Sequence, residues 1–398
     1  MNGQRPARGD LLLIFLFRTV LNSGYRMMYP FLPAFSRGLG VDLKTMSLAL
    51  SVRAASGALG PLLSPLSDRH GRRLGMGLGT GVFTLGAAVA FMGRGLPQFT
   101  AGLVLMTVGR YLFDPAALAH LGDRFPYSRR AFALAVSELS WALAFILGVP
   151  AVGLLMARAG WRAPFAALAV LGLAGLTSVV LVMRNVRSQG LGEDGPPGRA
   201  AGSVHLEKYK EVFGSAAALA ALTVVLSAGT ANELVNVAFG RWLEDSFGLK
   251  LAALGLASAL IGVCEFAGEG LVALTTDRIG KSRAVGFGLA ACAVVSLLLP
   301  LGGRSAVTAV AGLALFYFAF EYMVVSLMPL VSEILPGARA TLMAFYAAAV
   351  SVGRAFGSWL SPRLYEAGFM SVTAAAAALY AAAFLLLLRL RRLSGGKD

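Results

Sequence analysis

The chain has 398 residues, of which 57% are hydrophobic and 14% charged, and a formal net charge of +15. A mean hydropathy of +0.72 excludes a soluble domain and describes an integral membrane protein. The basic residues stand in short clusters between apolar spans and not on one soluble face, so the charge follows membrane topology and does not indicate nucleic-acid binding.

A spanning helix needs about 20 mostly apolar residues. Twelve such stretches are predicted: 11–36, 44–66, 74–93, 97–121, 131–157 and 164–183, then 214–240, 250–275, 284–302, 305–331, 341–364 and 370–388. The first carries Arg18 and Arg26 and lacks a small-residue cleavage site, so it reads as a retained spanning helix. Pro30 and Pro33, following Gly24, are expected to break its second half and free backbone carbonyls, and Pro329 to act similarly late in the tenth stretch.

The second stretch ends in a polar basic loop, Ser67-Asp68-Arg69-His70-Gly71-Arg72-Arg73. The eighth ends in its echo, Thr276-Asp277-Arg278-Ile279-Gly280-Lys281-Ser282-Arg283, displaced by 209 residues. A second pair, Asp123-Arg124-Phe125-Pro126 and Glu333-Ile334-Leu335-Pro336, is displaced by 210. Two signals at nearly one offset imply duplicated halves. The expected organisation is therefore all-α, with twelve transmembrane helices in two six-helix halves, 1–184 and 214–398, related by a pseudo-twofold repeat. The Gly-, Pro- and charge-rich segment 185–213 reads as a flexible linker. With both termini inside, the lysines and arginines divide as twenty-one cytoplasmic, nine external and five within spans, which favours that orientation.

In each loop the acid sits at a helix end, the glycine permits a tight turn with positive φ, and bases follow. Asp68 is expected to pair with Arg72, with Asp123 as a third member; Asp277, Lys281 and Glu333 repeat the set. Such clusters would latch the cytoplasmic side, since topology alone asks only for base.

Eleven charged residues fall inside the predicted spans, and the third, sixth, ninth and twelfth spans carry none. A charge in the bilayer costs upward of about 2.5 kcal/mol, so a set this large requires pairing or a watered cavity. Arg18, Asn22, Tyr25, Arg26 and Tyr29 form one stripe on the first helix, and Asn232, Glu233 and Asn236 another on the seventh. Arg110 and Asp114, one turn apart, fit either a structural ion pair or a substrate contact, while Arg53, Glu138 and Arg354 on flanking helices are expected to hold interfaces. Four of the five span arginines are in the first half and four of the six acids in the second. That asymmetry suits an amphipathic, zwitterionic or cationic solute, or salt bridges that tie the halves.

The segment Ser64-Pro65-Leu66-Ser67-Asp68-Arg69-His70-Gly71-Arg72-Arg73 resembles the signature loop of the major facilitator superfamily of secondary transporters, with Ser64 where the family carries glycine. Arg110 matches the family's intramembrane arginine, and Gly148-Val149-Pro150-Ala151-Val152-Gly153 is a degraded form of its antiporter element. The resemblance implies that the first, fourth, seventh and tenth helices border a central pathway. It adds Arg110, Asp114, Tyr317 and Glu321 to Arg18, Asn22, Arg26, Tyr29, Asn232, Glu233 and Asn236 as cavity residues, while the loop positions Asp68, Arg69, Gly71, Arg72, Arg73, Asp277, Arg278, Gly280 and Lys281 gate.

The function expected is secondary active transport by alternating access, with proton-coupled efflux of an organic or amphipathic molecule. The alternatives are a proton-coupled uptake symporter and a non-transporting membrane sensor. No nucleotide-binding loop, zinc-protease pair or serine elbow is present, and only His70, His120 and His205 could serve a histidine site, so neither an enzyme nor a metal or cofactor is expected. Cys264 and Cys292 read as small core residues. Glu265 and Glu269, one turn apart on the eighth helix, cannot both ionise cheaply and are the expected proton carriers; pairing of both with Arg354 is the competing reading. The partners implied are a small solute, protons and the lipid of the plasma membrane, with the protein a monomer.

Overall fold

A computed structural model describes residues 7–60, 71–182 and 200–393, and among them every regular element is helical. The first span is split into α1 (Ala7–Arg26) and α2 (Leu32–Leu39), followed by α3 (Leu43–Ser56), α4 (Arg72–Met92) and α5 (Leu96–Arg124). The fifth span is composite: α6 (Tyr127–Glu138), α7 (Ser140–Leu143), a π-helical turn over Ala144–Gly148, and α8 (Val149–Ala159). The sixth is α9 (Ala163–Val182), and α10 (Ala200–Gly214) precedes the second half. That half comprises α11 (Ala216–Phe247), α12 (Leu251–Ile279), α13 (Lys281–Leu298), α14 (Ala306–Ser332), α15 (Arg339–Tyr365) and α16 (Phe369–Leu393).

Nine helices among the described residues are long and apolar enough to cross a bilayer by length and composition alone. The remaining three of the twelve spans are the first, broken after Arg26, the second, and the fourth, which carries Arg110 and Asp114. The twelve transmembrane helices form two six-helix halves.

The break in the first span follows from Pro30. Without an N–H, Pro30 cannot donate to the carbonyl of Arg26, which instead accepts from Tyr29 N at 3.3 Å. The carbonyl of Tyr25 thereby loses its own i+4 donor, and Arg53 Nη1 of α3 donates to it at 2.9 Å. The freed backbone group is thus satisfied by a side chain, as a buried carbonyl must be.

The helices pack into two compact units, one of residues 1–189 with 239–263 and one of residues 190–238 with 264–398. In the first unit the end of α11 and the start of α12 pack among first-half helices. Gly240 lies so close to the broken segment that a Cβ there would sit 2.6 Å from the carbonyl oxygens of Tyr29 and Pro30. Arg37 Nη1 meets Glu244 Oε1 at 2.7 Å. One end of this unit is closed by the rings of Phe35, Phe99, Trp161 and Phe165, with centroids 5.3–6.4 Å apart.

In the second unit α11 crosses α15 at Gly353 and Gly357. The backbones approach until a Cβ on Gly357 would meet the carbonyl oxygen of Thr230 at 2.8 Å, the close packing that small residues four apart allow in membranes. The segment predicted as a flexible linker is partly ordered: from Ala200 it is α10, whose Tyr209 and Phe213 rings lie 5.7 and 5.1 Å from Phe345 of α15. Tyr209, Val212 and Phe213 supply an apolar stripe at helical spacing, with Val212 fully buried. Residues 185–199 lie outside the described residues.

Candidate functional site

Where both duplicated loops are described, from the glycine onward, they share their geometry. Gly71 and Gly280 each stand immediately before a helix, α4 and α13, at φ +95° and +87°, conformations that glycine adopts without strain. Beyond each, a base reaches the end of the following helix: Arg72 Nε is 3.4 Å from Asp123 Oδ2, and Lys281 Nζ donates to Glu333. Each pair joins neighbouring helices of one unit. Arg73 donates to the carbonyl of Val180, and Arg278 is exposed. Asp68, Arg69 and the side chain of Asp277 lie outside the described residues.

The stripe on α1 runs alongside the fifth span, residue by residue. Arg18 Nη1 donates to Ser137 Oγ and Glu138 Oε1, both at 2.9 Å, and its Nε to Asp114 Oδ1 at 3.1 Å. One turn on, Asn22 Nδ2 donates to Ser140 Oγ at 3.2 Å. One turn further, Arg26 Nη1 donates to the carbonyl of Trp141 at 3.0 Å, with its guanidinium 3.4 Å from the Phe145 centroid and 4.4 Å from that of Trp141. Both helices advance together because they run parallel. Gly148 makes this possible: a Cβ there would fall 1.8 Å from Ser23 Oγ. The residues resembling the antiporter element therefore form a packing seam, and Gly153 continues it against the carbonyl of Leu251.

Arg110 joins the same network. Its Nε is 3.3 Å from Asp114 Oδ2, and its guanidinium lies 5.0 and 5.1 Å from the rings of Tyr25 and Trp141. Arg53, 1% exposed, fixes the far end of the stripe: besides the Tyr25 carbonyl it bonds Tyr29 Oη at 3.3 Å and covers the Tyr25 ring at 4.1 Å. Glu138, expected to serve an interface, thus shares Arg18 with Asp114.

In the second unit the predicted residues also converge. Asn236 Nδ2 donates to Asn232 Oδ1 at 2.8 Å and to Glu233 Oε2 at 3.2 Å, while Tyr317 Oη donates to Asn236 Oδ1. Glu233, fully buried, also accepts from Ser358 Oγ at 2.8 Å. These donors satisfy both of its carboxylate oxygens. Glu321 is buried one turn from Tyr317 on α14. Glu265 is buried on α12 and Glu269 half-buried. Gly268, between them, packs against the carbonyl of Phe318 and Cβ of Glu321, which brings that face of α12 onto α14.

Several contributors have no place in the sequence reading. Ser137, Ser140 and Trp141 repeat the helical spacing of the α1 stripe, and Gly357, Ser358 and Ser361 form a small-residue stripe on α15 facing α11. Either pattern is a signal that charge counting passes over. Asp10, just before the first apolar stretch, accepts from Arg124 Nε at 3.0 Å and meets His120 Nε2 at 3.2 Å. Burial alone would raise its carboxyl, but the hydrogen bonds and charges of His120 and Arg124 outweigh that and hold it below its ordinary value.

A family model described as Major Facilitator Superfamily matches residues 14–232 and again 221–397, one match per half. The chain is 26% identical over 363 residues to an uncharacterized MFS-type transporter, YwfA, of Bacillus subtilis, covering 90% of this chain and 86% of that one. It is also 26% identical over 155 residues to the multidrug resistance protein MdtM of Salmonella typhimurium, covering 39% and 38% respectively. Its fold is that of a crystallised D-xylose-proton symporter, at a TM-score of 0.80 and 17% identity over 98% of both chains. With duplicated loops, two six-helix halves and a family match across both, the chain belongs to the Major Facilitator Superfamily.

Proposed function

We propose that the chain exports an organic, amphipathic small molecule across the plasma membrane in exchange for protons, by alternating access and as a monomer with both termini cytoplasmic. The observation that carries this reading is the burial of three carboxylates, Glu233, Glu265 and Glu321, on three spanning helices of one unit. A buried carboxylate persists in a membrane protein where it pairs, and it can then exchange a proton when access changes. Glu265 and Glu269 are the proposed proton carriers, and Glu233 and Glu321 trade a proton for a cationic group on the solute. Asn232, Asn236 and Tyr317 orient that group from the second half, and Arg18, Asn22, Arg26, Tyr29, Arg110 and Asp114 meet the solute from the first. The loop pairs Arg72–Asp123 and Lys281–Glu333, with Asp68 and Asp277, stiffen the cytoplasmic ends of each half as the two rock. Similarity to a relative named as a multidrug resistance protein supports export over uptake.

The test is a screen of organic cations and zwitterions in proteoliposomes with an imposed pH gradient. Solute movement against its gradient, with dissipation of the pH gradient in the opposite direction, is the expected result. Co-directional movement would make the protein an uptake symporter, and absence of any coupled flux would leave only a non-transporting role.

A further inference from the structure

We propose that the first unit contains a binding site for one small anion, formed by Arg53 and Arg110 beside Tyr25. Arg53 ranks among the largest fully buried side chains of the protein, yet its bonding partners are the Tyr25 carbonyl and the Tyr29 hydroxyl, and the faces of those two rings cover it at 4.1 and 5.5 Å. None of these carries charge. Among the described residues, Asp114 and Glu138 are spent on Arg18 and Arg110, and no carboxylate reaches Arg53. Its Nε is buried without an acceptor, and so is Nε of Arg110, which faces Asp114 out of hydrogen-bond alignment. A guanidinium is always charged, so burial cannot be relieved by losing a proton. A buried cation in this position calls for a counter-charge.

There is room for one. Arg53 and Arg110 both line a cavity of about 10 Å3, walled by Gly24, Tyr25, Met106 and Thr107. That is about the space of a single water-sized group. The cavity suits one small anion or one carboxylate oxygen at the tip of a solute. The site needs no transport to be occupied.

The whole chain, purified in detergent and exchanged into methanesulfonate, is titrated with chloride or with acetate at constant ionic strength while its thermal midpoint is followed. A saturable rise with chloride assigns the site to a free inorganic anion; a rise with acetate alone assigns it to a solute carboxylate. Arg53→Met should abolish the rise, and Arg53→Lys should keep it with at least tenfold weaker affinity. No rise with either anion in the wild-type protein, or an undiminished rise in Arg53→Met, overturns the proposal. Should Arg53→Met fail to fold, crystals of the wild-type protein grown in bromide decide: an anomalous peak beside Arg53 supports the site, and water alone there refutes it.

Discussion

The two units bury opposite charges by different means. In the first, Arg18, Arg26, Arg53 and Arg110 are held by aromatic faces, carbonyls and two carboxylates, of which Asp114 is shared by Arg18 and Arg110. In the second, Glu233 is held by a serine hydroxyl and an asparagine amide, and Asn236 relays to Tyr317. The difference bears on the proposed function, because an arginine keeps its proton at any physiological pH whereas a carboxylate can gain one. Permanent charge sits where α1 is locked to the fifth span. The buried carboxylates Glu233, Glu265 and Glu321 sit on α11, α12 and α14 of the second unit.

If the first unit's charges are architectural, removing one should cost more stability than disturbing the second unit's network. Arg18→Met takes one of two arginines from Asp114, removes the arginine of Glu138 and leaves Ser137 without its donor, and should lower stability by about 3 kcal/mol, read as thermal unfolding in detergent. Asp10→Asn should cost about 1.5 kcal/mol by removing the charged acceptor of Arg124 and His120. Because the Asp10 carboxyl is held below its ordinary value, its contribution is complete above the unfolded-state pKa of 3.8. It is lost as pH falls through the lower folded-state value. The variant and the parent should therefore converge only in strong acid; a difference that vanished near neutrality would contradict this account.

Ser358→Ala, which removes one neutral donor to Glu233, should cost about 1 kcal/mol and leave the fold intact. A loss as large as that of Arg18→Met would abolish the contrast between the units. Smallest of all, Asp123→Asn and Glu333→Gln break partly exposed loop pairs and should each cost less than about 1 kcal/mol. Their effect is expected instead in transport rate, and equal loss from both would sharpen the equivalence of the two loops.

Much of this was legible in the sequence. The loop glycines were predictable because only a positive φ explains a glycine between an acid and a base at both copies, and Gly71 and Gly280 adopt it. Pro30 and Pro33 marked the break in the first span, since a missing N–H leaves a carbonyl without a donor. The stripes on α1 and α11 were visible as helical spacing. What sequence could not supply was the partner of each stripe: nothing in the spacing of Arg18 and Asn22 tells that Ser137, Ser140 and Trp141 face them, because that depends on which helices pack. Nor could it show that Arg53 would reach back 28 residues to a carbonyl, or that α10 would order on Phe345.

The division of roles is tested most directly on Glu265. In proteoliposomes, Glu265→Gln should lose transport driven by a pH gradient while retaining counterflow exchange, which needs no net proton movement, and Arg18→Lys should lower both in proportion. Gradient-driven transport at the wild-type rate in Glu265→Gln and in Glu269→Gln would contradict the assignment of exchangeable charge to the second unit.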